Sequence, residues 1–486
     1  MGLAAERALQ LRARFPNSTH LRMQLNHGAD NAEVQALTAQ LLQLPPGAWR
    51  GIVVVQLCRR LLLRDRPLLC ALMGAVVRVC PLLHSAHSVL APEILRALVP
   101  AAGSLQRLVL QTYDGDGEPA RGDASEVEEA LAVLPCLEQL TAEQGPWLHG
   151  SRAWEGLCAA LPRLPRLARL RAGALHDFLS LAARATSLED LSLCTYFLGI
   201  GLQLPKVDPN PSVRRLELRN LRELTIDALD WRLLPSLAPA LEVLRLQSCV
   251  ETRDLEAFEG GLTSLRELRL AEVVSHKSLD LAVLAKLPAL RTLGVVLGMP
   301  HRKGAAVECC QAAFSSWAAG WRHITPLELG SHPDSCDPMP VDVGSLLPVF
   351  AGQLGSTLRH LTLDPCTLVG AKHSPLPGVL QACLPQFVVL ERLSLGFDCQ
   401  AYLMYATTAG VRASFGGFVV TEPCLTDVAA AVAAARPACL RAVRLRLRAG
   451  GRRPAQVSWG CCMQLMAAHS WLHIDLVPPE ACPFGW

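Results

Sequence analysis

Hydrophobic positions along this chain fall into a short phrase that recurs. Leu241-Glu-Val-Leu244-Arg-Leu246-Gln-Ser-Cys249 reads L-x-x-L-x-L-x-x-C. Leu358-Arg-His-Leu361-Thr-Leu363-Asp-Pro-Cys366 repeats it, terminal cysteine included. Apolar and polar residues alternate through the middle of the phrase, which predicts a strand with one buried face. Residues at its first, fourth and sixth positions then point into a core. Those at the third and fifth point away from it. One such unit cannot bury its leucines alone, so neighbouring units must stack. The cysteine at the ninth position takes the chain off the strand and tolerates deep burial.

Weaker copies start the chain: Ser18-x-x-Leu21-x-Met23, Trp49-x-x-Ile52-x-Val54 and Leu83-x-x-Ala86-x-Ser88. Helical segments are expected between them at Ala32 to Leu44, Leu68 to Val79 and Pro92 to Val99, the last with proline at its first turn. Regular phrases begin at Leu105, Leu137, Leu167, Leu188, Val213, Leu241, Leu265 and Leu290, 21 to 32 residues apart. Apolar helical segments sit between them at Ala130 to Leu134, Leu157 to Leu161, Phe178 to Ala183 and Leu281 to Leu287. The regularity breaks at 301–345, where Trp321-x-x-Ile324-x-Pro326 is the one phrase and a turn-rich run, Ser331 to Pro340, reads as loop. Phrases resume at Leu358, Leu390, Leu440 and Trp471-x-x-Ile474-x-Leu476. A second insertion is expected at Gly396 to Pro423, and the tail from Pro478 to Trp486 is read as a cap.

A strand alternating with a helix in every unit predicts an α/β solenoid. Its parallel strands would line the concave face of a horseshoe, with helices on the convex face. Four segments follow: 1–100 with degenerate N-terminal repeats, 101–300 with regular repeats, 301–345 as insertion, and 346–486 with C-terminal repeats and cap.

Composition agrees with a large core. Hydrophobic residues make up 51% of the chain and charged residues only 18%, which argues against disorder. A net charge of +3 gives no ground for nucleic acid or an anionic membrane as partner. Charge at Glu6 and Arg7 interrupts any signal peptide, and apolar runs such as Pro67 to Val77 are too short to span a bilayer. The 18 cysteines are scattered without a C-x-x-C pair, so reduced thiols in a soluble intracellular protein are expected.

The phrases resemble the leucine-rich repeat. With their terminal cysteines they are similar to the irregular, cysteine-containing, helix-bearing type common in plants and green algae, often behind an F-box. Arg14-Phe-Pro-Asn-Ser-Thr-His-Leu21 is similar to the opening repeat of such proteins. The resemblance implies a protein-binding scaffold in the cytoplasm, with the ciliary axoneme as a further setting. An F-box needs a longer helical segment than the residues ahead of Ser18, so an F-box-like substrate receptor lacking a recognisable F-box is the alternative.

Candidate chemistry is sparse. Asp114-Gly-Asp-Gly-Glu118 departs from a calcium loop, with Pro119 and Ser125 where Gly and Glu belong. Cys309, Cys310 and His323 match no zinc spacing, and Ser414 lacks the G-x-S-x-G elbow. No phosphate or dinucleotide fingerprint occurs. The expectation is no catalytic residue, cofactor or metal; an enzyme with its site beside His323 or Ser414 in an insertion is the alternative from another class. Arg446, Arg448, Arg452 and Arg453 form a basic cluster, read as a solvated edge or an acidic-partner contact.

The third and fifth positions carry the functional hint. Arg107, Arg169, Arg171, Arg215, Arg245, Arg269, Arg392 and Arg444 stand there against Asp190, Glu217 and Glu267. A mildly basic stripe suits an acidic protein partner. Internal pairing between adjacent strands is the competing reading, supported by the alternating signs of Glu189, Arg214, Glu242 and Arg266 at the second position. In the expected arrangement Glu217 pairs with Arg245 and Arg269 stays free toward solvent.

Overall fold

A computed structural model describes residues 19–23, 31–57, 66–111, 123–143, 152–173, 185–194, 212–219, 234–251, 255–258, 261–274, 281–297, 314, 316–331, 341–367, 376–398, 422–448 and 458–477. The chain divides into two units, Met1–Leu241 and Glu242–Trp486.

In the first unit, strands β1 (His20–Met23), β2 (Val54–Leu57), β3 (Ser85–Val89), β4 (Arg107–Gln111), β5 (Gln139–Glu143), β6 (Arg169–Gly173), β7 (Asp190–Cys194) and β8 (Arg215–Arg219) lie in chain order. Each is parallel to the next. Helices α1 (Asn31–Gln43), α2 (Arg66–Val79), α3 (Pro92–Ala97), α4 (Ala124–Ala132) and α5 (Arg152–Ala160) form the connections and pack side by side, and a short α6 (Leu234–Leu237) follows. Asp123 caps α4 by accepting from the Ser125 amide. Arg78 of α2 donates to the carbonyls of Leu42 and Leu44 at 2.8 and 2.9 Å, satisfying the end of α1. Gly156 lets α5 approach α4, because a Cβ there would lie 2.1 Å from the Ala124 carbonyl oxygen.

The second unit repeats the plan with β9 (Val243–Glu251), β10 (Glu267–Val274), β11 (Thr292–Leu297), β12 (Pro326–Ser331), the two-residue β13 (Val341–Asp342), β14 (His360–Thr367), β15 (Arg392–Asp398), β16 (Ala442–Arg448) and β17 (Leu472–Val477). β12 pairs with β14, and all these pairings are parallel. Its helices are α7 (Val343–Leu354), α8 (Leu376–Cys383), α9 (Glu422–Ala435) and α10 (Trp459–Ala468), each packed on the next.

The repeated leucines fill the interior. Leu105, Leu108 and Leu110 are fully buried, as are Leu241, Leu244 and Leu246, and Leu358, Leu361 and Leu363. Burial of each such side chain is worth about 1.5–3 kcal/mol. A turn ahead of the phrase recurs in many of the repeats. The amide of the first-position residue donates to the carbonyl three residues earlier: Leu137 to Leu134, Leu188 to Ala185, Leu265 to Leu262, Leu290 to Leu287. The residue just before the first position ties one coil to the previous one. Ser104 Oγ donates to the Leu83 carbonyl at 3.0 Å, and Ser187 Oγ to that of Leu167 at 3.0 Å. Cys439 Sγ does the same toward Val388 at 3.2 Å.

Three phrases sit in a different register from the sequence reading, and each was anchored on tryptophan. Val55 aligns with Leu21 and Ala86, so the second phrase is Ile52-x-x-Val55-x-Leu57. Leu327 aligns with Leu293 and Leu361, so the 301–345 phrase is Ile324-x-x-Leu327-x-Leu329. Trp49 and Trp321 occupy the preceding turn, accepting from Ile52 and Ile324 at 2.8 Å. In β17 Leu472 aligns with Val443 and Ile474 with Leu445, two residues from the expected register. The segment 301–345 thus holds a repeat of its own. Residues 316–320 are helical, and Phe314, Trp317, Trp321 and Phe350 form an aromatic cluster in its core.

Helices start earlier than expected at α4 and α5, and the 281–287 segment is a 3-10 turn, Ala282–Lys286. The expected helix at Phe178 to Ala183, residues 399–421 of the second insertion, and the tail cap lie outside the described residues, as do Arg14 to Ser18. Cys249 and Cys366 are on β9 and β14, but their side chains are likewise outside them. No helix among the described residues is long and apolar enough to cross a membrane.

Candidate functional site

With the leucines turned inward, third- and fifth-position side chains share the opposite, open face of each sheet. The two units fill that face differently.

In the second unit it is a chain of ion pairs. Arg245 of β9 holds Glu267 of β10, with Nη2 2.8 Å and Nε 2.9 Å from Oε1. Arg269, two residues on and on the same face, has Nε 3.0 Å from that oxygen, a charge contact without hydrogen-bond alignment. Its guanidinium then reaches past β11 to Glu328 of β12, with Nη1 3.2 Å from Oε2 and Nη2 donating to Oε1 at 3.2 Å. Gly294 makes the crossing possible. It lies between Arg269 and Glu328 in register, and a Cβ there would press on Arg269 Cγ at 3.1 Å. Arg269 and Glu328 are left 20% and 21% exposed. Arg269 is therefore not the free charge expected from the sequence.

The device recurs at the seventh position. Asp364 of β14 is 1% exposed and lies over Gly396 of β15, where a Cβ would be 1.8 Å from its Oδ1. Its Oδ2 is 3.4 Å from Arg446 of β16, the in-register neighbour of Gly396. Arg446 thus faces a buried carboxylate, whereas the sequence placed it on a solvated edge or partner contact. The Arg448 side chain and residues Arg452 and Arg453 lie outside the described residues. Arg444 pairs with Asp475 of β17. At the second position Arg266 meets Glu242 at 3.9 Å and Arg359 meets Glu391 at 3.3 Å, so internal pairing holds there. Arg392 is exposed, with His360 and Ala442 beside it in register.

Burial pushes the Glu328 carboxyl above its ordinary range, against the pull of Arg269; Glu267 adds to the rise, while Arg446 and Arg245 oppose it. Burial likewise lowers the His360 value, helped by the Arg392 and Arg359 charges and opposed by Glu391.

The first unit differs. Arg215 of β8 pairs with Asp190 of β7 at 3.5 Å, and Glu217 on β8 is buried. Arg107, Arg169 and Arg171 are exposed. Their neighbours in register are Ser85 and Gln139 for Arg107, Gln139 and Asp190 for Arg169, and Thr141 and Ser192 for Arg171. Among the described residues no carboxylate forms an ion pair with these three.

Buried leucines at fixed positions, parallel strands in matching register and a helical return in unit after unit decide the fold. Each unit is a leucine-rich-repeat solenoid. No protein-family model and no curated protein matches the chain. Among solved structures it is similar to a TLR13–ssRNA13 complex, at 14% identity and TM-score 0.37 over 96% of this chain. It is similar to the leucine-rich repeat-containing protein LegL7 from Legionella pneumophila, at 13% identity and TM-score 0.28, with 88% of this chain and 90% of that one covered. A third likeness is to the plant peptide hormone receptor RGFR1 in complex with RGF2, at 12% identity and TM-score 0.29 over 83% of this chain. The chain spans 65% of the first of these and 60% of the third. The fold assignment rests on the chain's own register.

The other candidates do not converge. His323 Nε2 is buried without a hydrogen-bond partner, and burial, then Arg291, lowers the ring's basicity. Cys309, Cys310, Ser414 and Asp114 to Glu118 lie outside the described residues. Among the described residues no three His, Cys, Asp or Glu side chains gather as metal ligands. Sequence reasoning missed Glu328, Asp364 and Asp475. The displaced register hid the first, counting only third and fifth positions hid the second, and Asp475, at the fifth position of the Trp471 phrase as read, was passed over.

Proposed function

We propose that this protein is a non-enzymatic binding scaffold that recognises a protein partner through the open face of its sheets. Of the open-face residues read as partner-binding, Arg169, Arg171, Arg215 and Arg392 are proposed to meet the partner, while the paired Arg245, Arg269 and Arg444 and the buried Glu217 shape that face. One observation carries the reading: along strand after strand the apolar side chains are inward and buried, so the opposite face is a ladder of polar side chains with the helices on the other side. Broad polar faces of this kind suit macromolecules better than small substrates, which need enclosed pockets. The setting proposed is the reducing cytoplasm, axoneme included, where cysteines such as Cys70, Cys136, Cys383 and Cys439 persist as thiols.

The test is photocrosslinking in the source cell. A benzophenone amino acid at Thr141, on the open face of β5, is compared with one at Glu129, exposed on α4. Adducts with a protein at Thr141 and none at Glu129 are expected. Adducts at Glu129 alone would move the site to the helical side and sink the reading.

A further inference from the structure

We infer that the open face of β4 to β6 in the first unit is a carboxylate-reading site for an extended acidic segment of a partner protein. This rests on the open-face reading and narrows it to one stretch. Arg107, Arg169 and Arg171 are exposed, and among the described residues none has a carboxylate partner. In the second unit most of the corresponding arginines are taken: Arg245 and Arg269 by Glu267 and Glu328, Arg444 by Asp475. Charge that the fold has already neutralised has little left for a partner, whereas unmatched arginines in water retain it.

The spacing suits an extended chain. Arg169 and Arg171 are two residues apart on β6, about 6.6 Å, which is also the separation of alternate side chains in an extended peptide. Arg107 stands two strands away, about 10 Å. Between the two arginine rows lie Gln139 and Thr141, half-buried, whose side chains can donate to and accept from a peptide backbone. Arginine is the cation whose planar fork matches a carboxylate bidentately. The partner class is protein, not nucleic acid. The third- and fifth-position residues of β4 to β7, Arg107, Val109, Gln139, Thr141, Arg169, Arg171, Asp190 and Ser192, include no aromatic side chain on which a base could stack.

The experiment is fluorescence anisotropy of the full chain with three probes: a fluorescein-labelled peptide of alternating glutamate and serine, its lysine counterpart, and a labelled uridine oligonucleotide. The acidic peptide is expected to bind, more weakly at higher salt. Arg107→Glu, Arg169→Glu and Arg171→Glu combined should weaken that binding roughly tenfold or more. A control triple, Arg50→Glu, Arg152→Glu and Arg322→Glu, has the same change in net charge at exposed positions off this face and should retain it. Circular dichroism checks folding, and the three Arg→Gln changes replace the reversals if those fail to fold. Equal losses in both triples would overturn the location, since bulk charge would explain the binding. Preferential binding of the oligonucleotide would overturn the partner class. No binding of the acidic peptide would overturn the inference, while Thr141 adducts would leave the open-face reading standing; absence of those adducts would remove that reading independently.

Discussion

Glu328 sits between two opposing effects, and their balance is measurable. Burial disfavours its charged form and Arg269 favours it, and burial is the larger. Its folded-state pKa is therefore above the ordinary value of 4.5. The sign follows from proton linkage. A carboxyl raised on folding binds more protons in the native state, so its contribution is present below the unfolded value and lost as pH rises through the folded value. Glu328→Gln cannot titrate there. Urea unfolding of both proteins across the region just above pH 4.5 should show wild type losing stability relative to Glu328→Gln as pH increases. A difference that is flat, or that grows with pH, would contradict the burial argument. Thiols follow the same logic: burial raises the Cys383 value, which keeps the group protonated and slow to react.

At the scale of elements, a glycine on a central strand decides what its neighbours can do. Gly396 gives Asp364 the room to lie across β15 toward Arg446. Gly396→Ala should cost roughly 1–3 kcal/mol, since its Cβ and the carboxylate cannot share the space. In an Asp364→Ala background the same change should cost clearly less, because the two sites are in contact. Additive losses in the double-mutant cycle would mean that Gly396 is needed for some other reason. The repeats with leucine phrases were legible from sequence down to register, as at Leu105, Leu241 and Leu358. Those opened by Trp49 and Trp321 were not. An i, i+3 spacing belongs both to the turn ahead of the strand and to the strand phrase, so L-x-x-L-x-x-L-x-L offers two registers. Composition cannot choose between them; the hydrogen bonds from Ile52 and Ile324 back to those tryptophans do. The error at Trp321 had a price at the candidate site, because Glu328 becomes a fifth-position residue only in the true register.

At the scale of the whole chain, the arginine stripe divides by unit. Within each unit the arginines take register positions on the side of the strands away from the leucines, but sequence pattern could not say which carboxylates would reach them. Those partners lie across a glycine, or come from the seventh position, and neither is adjacent in the pattern. The paired arginines of the second unit, Arg245, Arg269 and Arg444, serve the fold, while those on β4 to β6 are proposed to serve a partner. The most direct test needs no partner at all. Urea unfolding should show Arg171→Ala within about 0.5 kcal/mol of wild type, as for an exposed surface substitution. Arg269→Ala should lower stability by about 1–2 kcal/mol, because it leaves Glu267 and Glu328 half-buried without their shared cation. Equal effects of the two substitutions, or a larger loss at Arg171, would contradict the division.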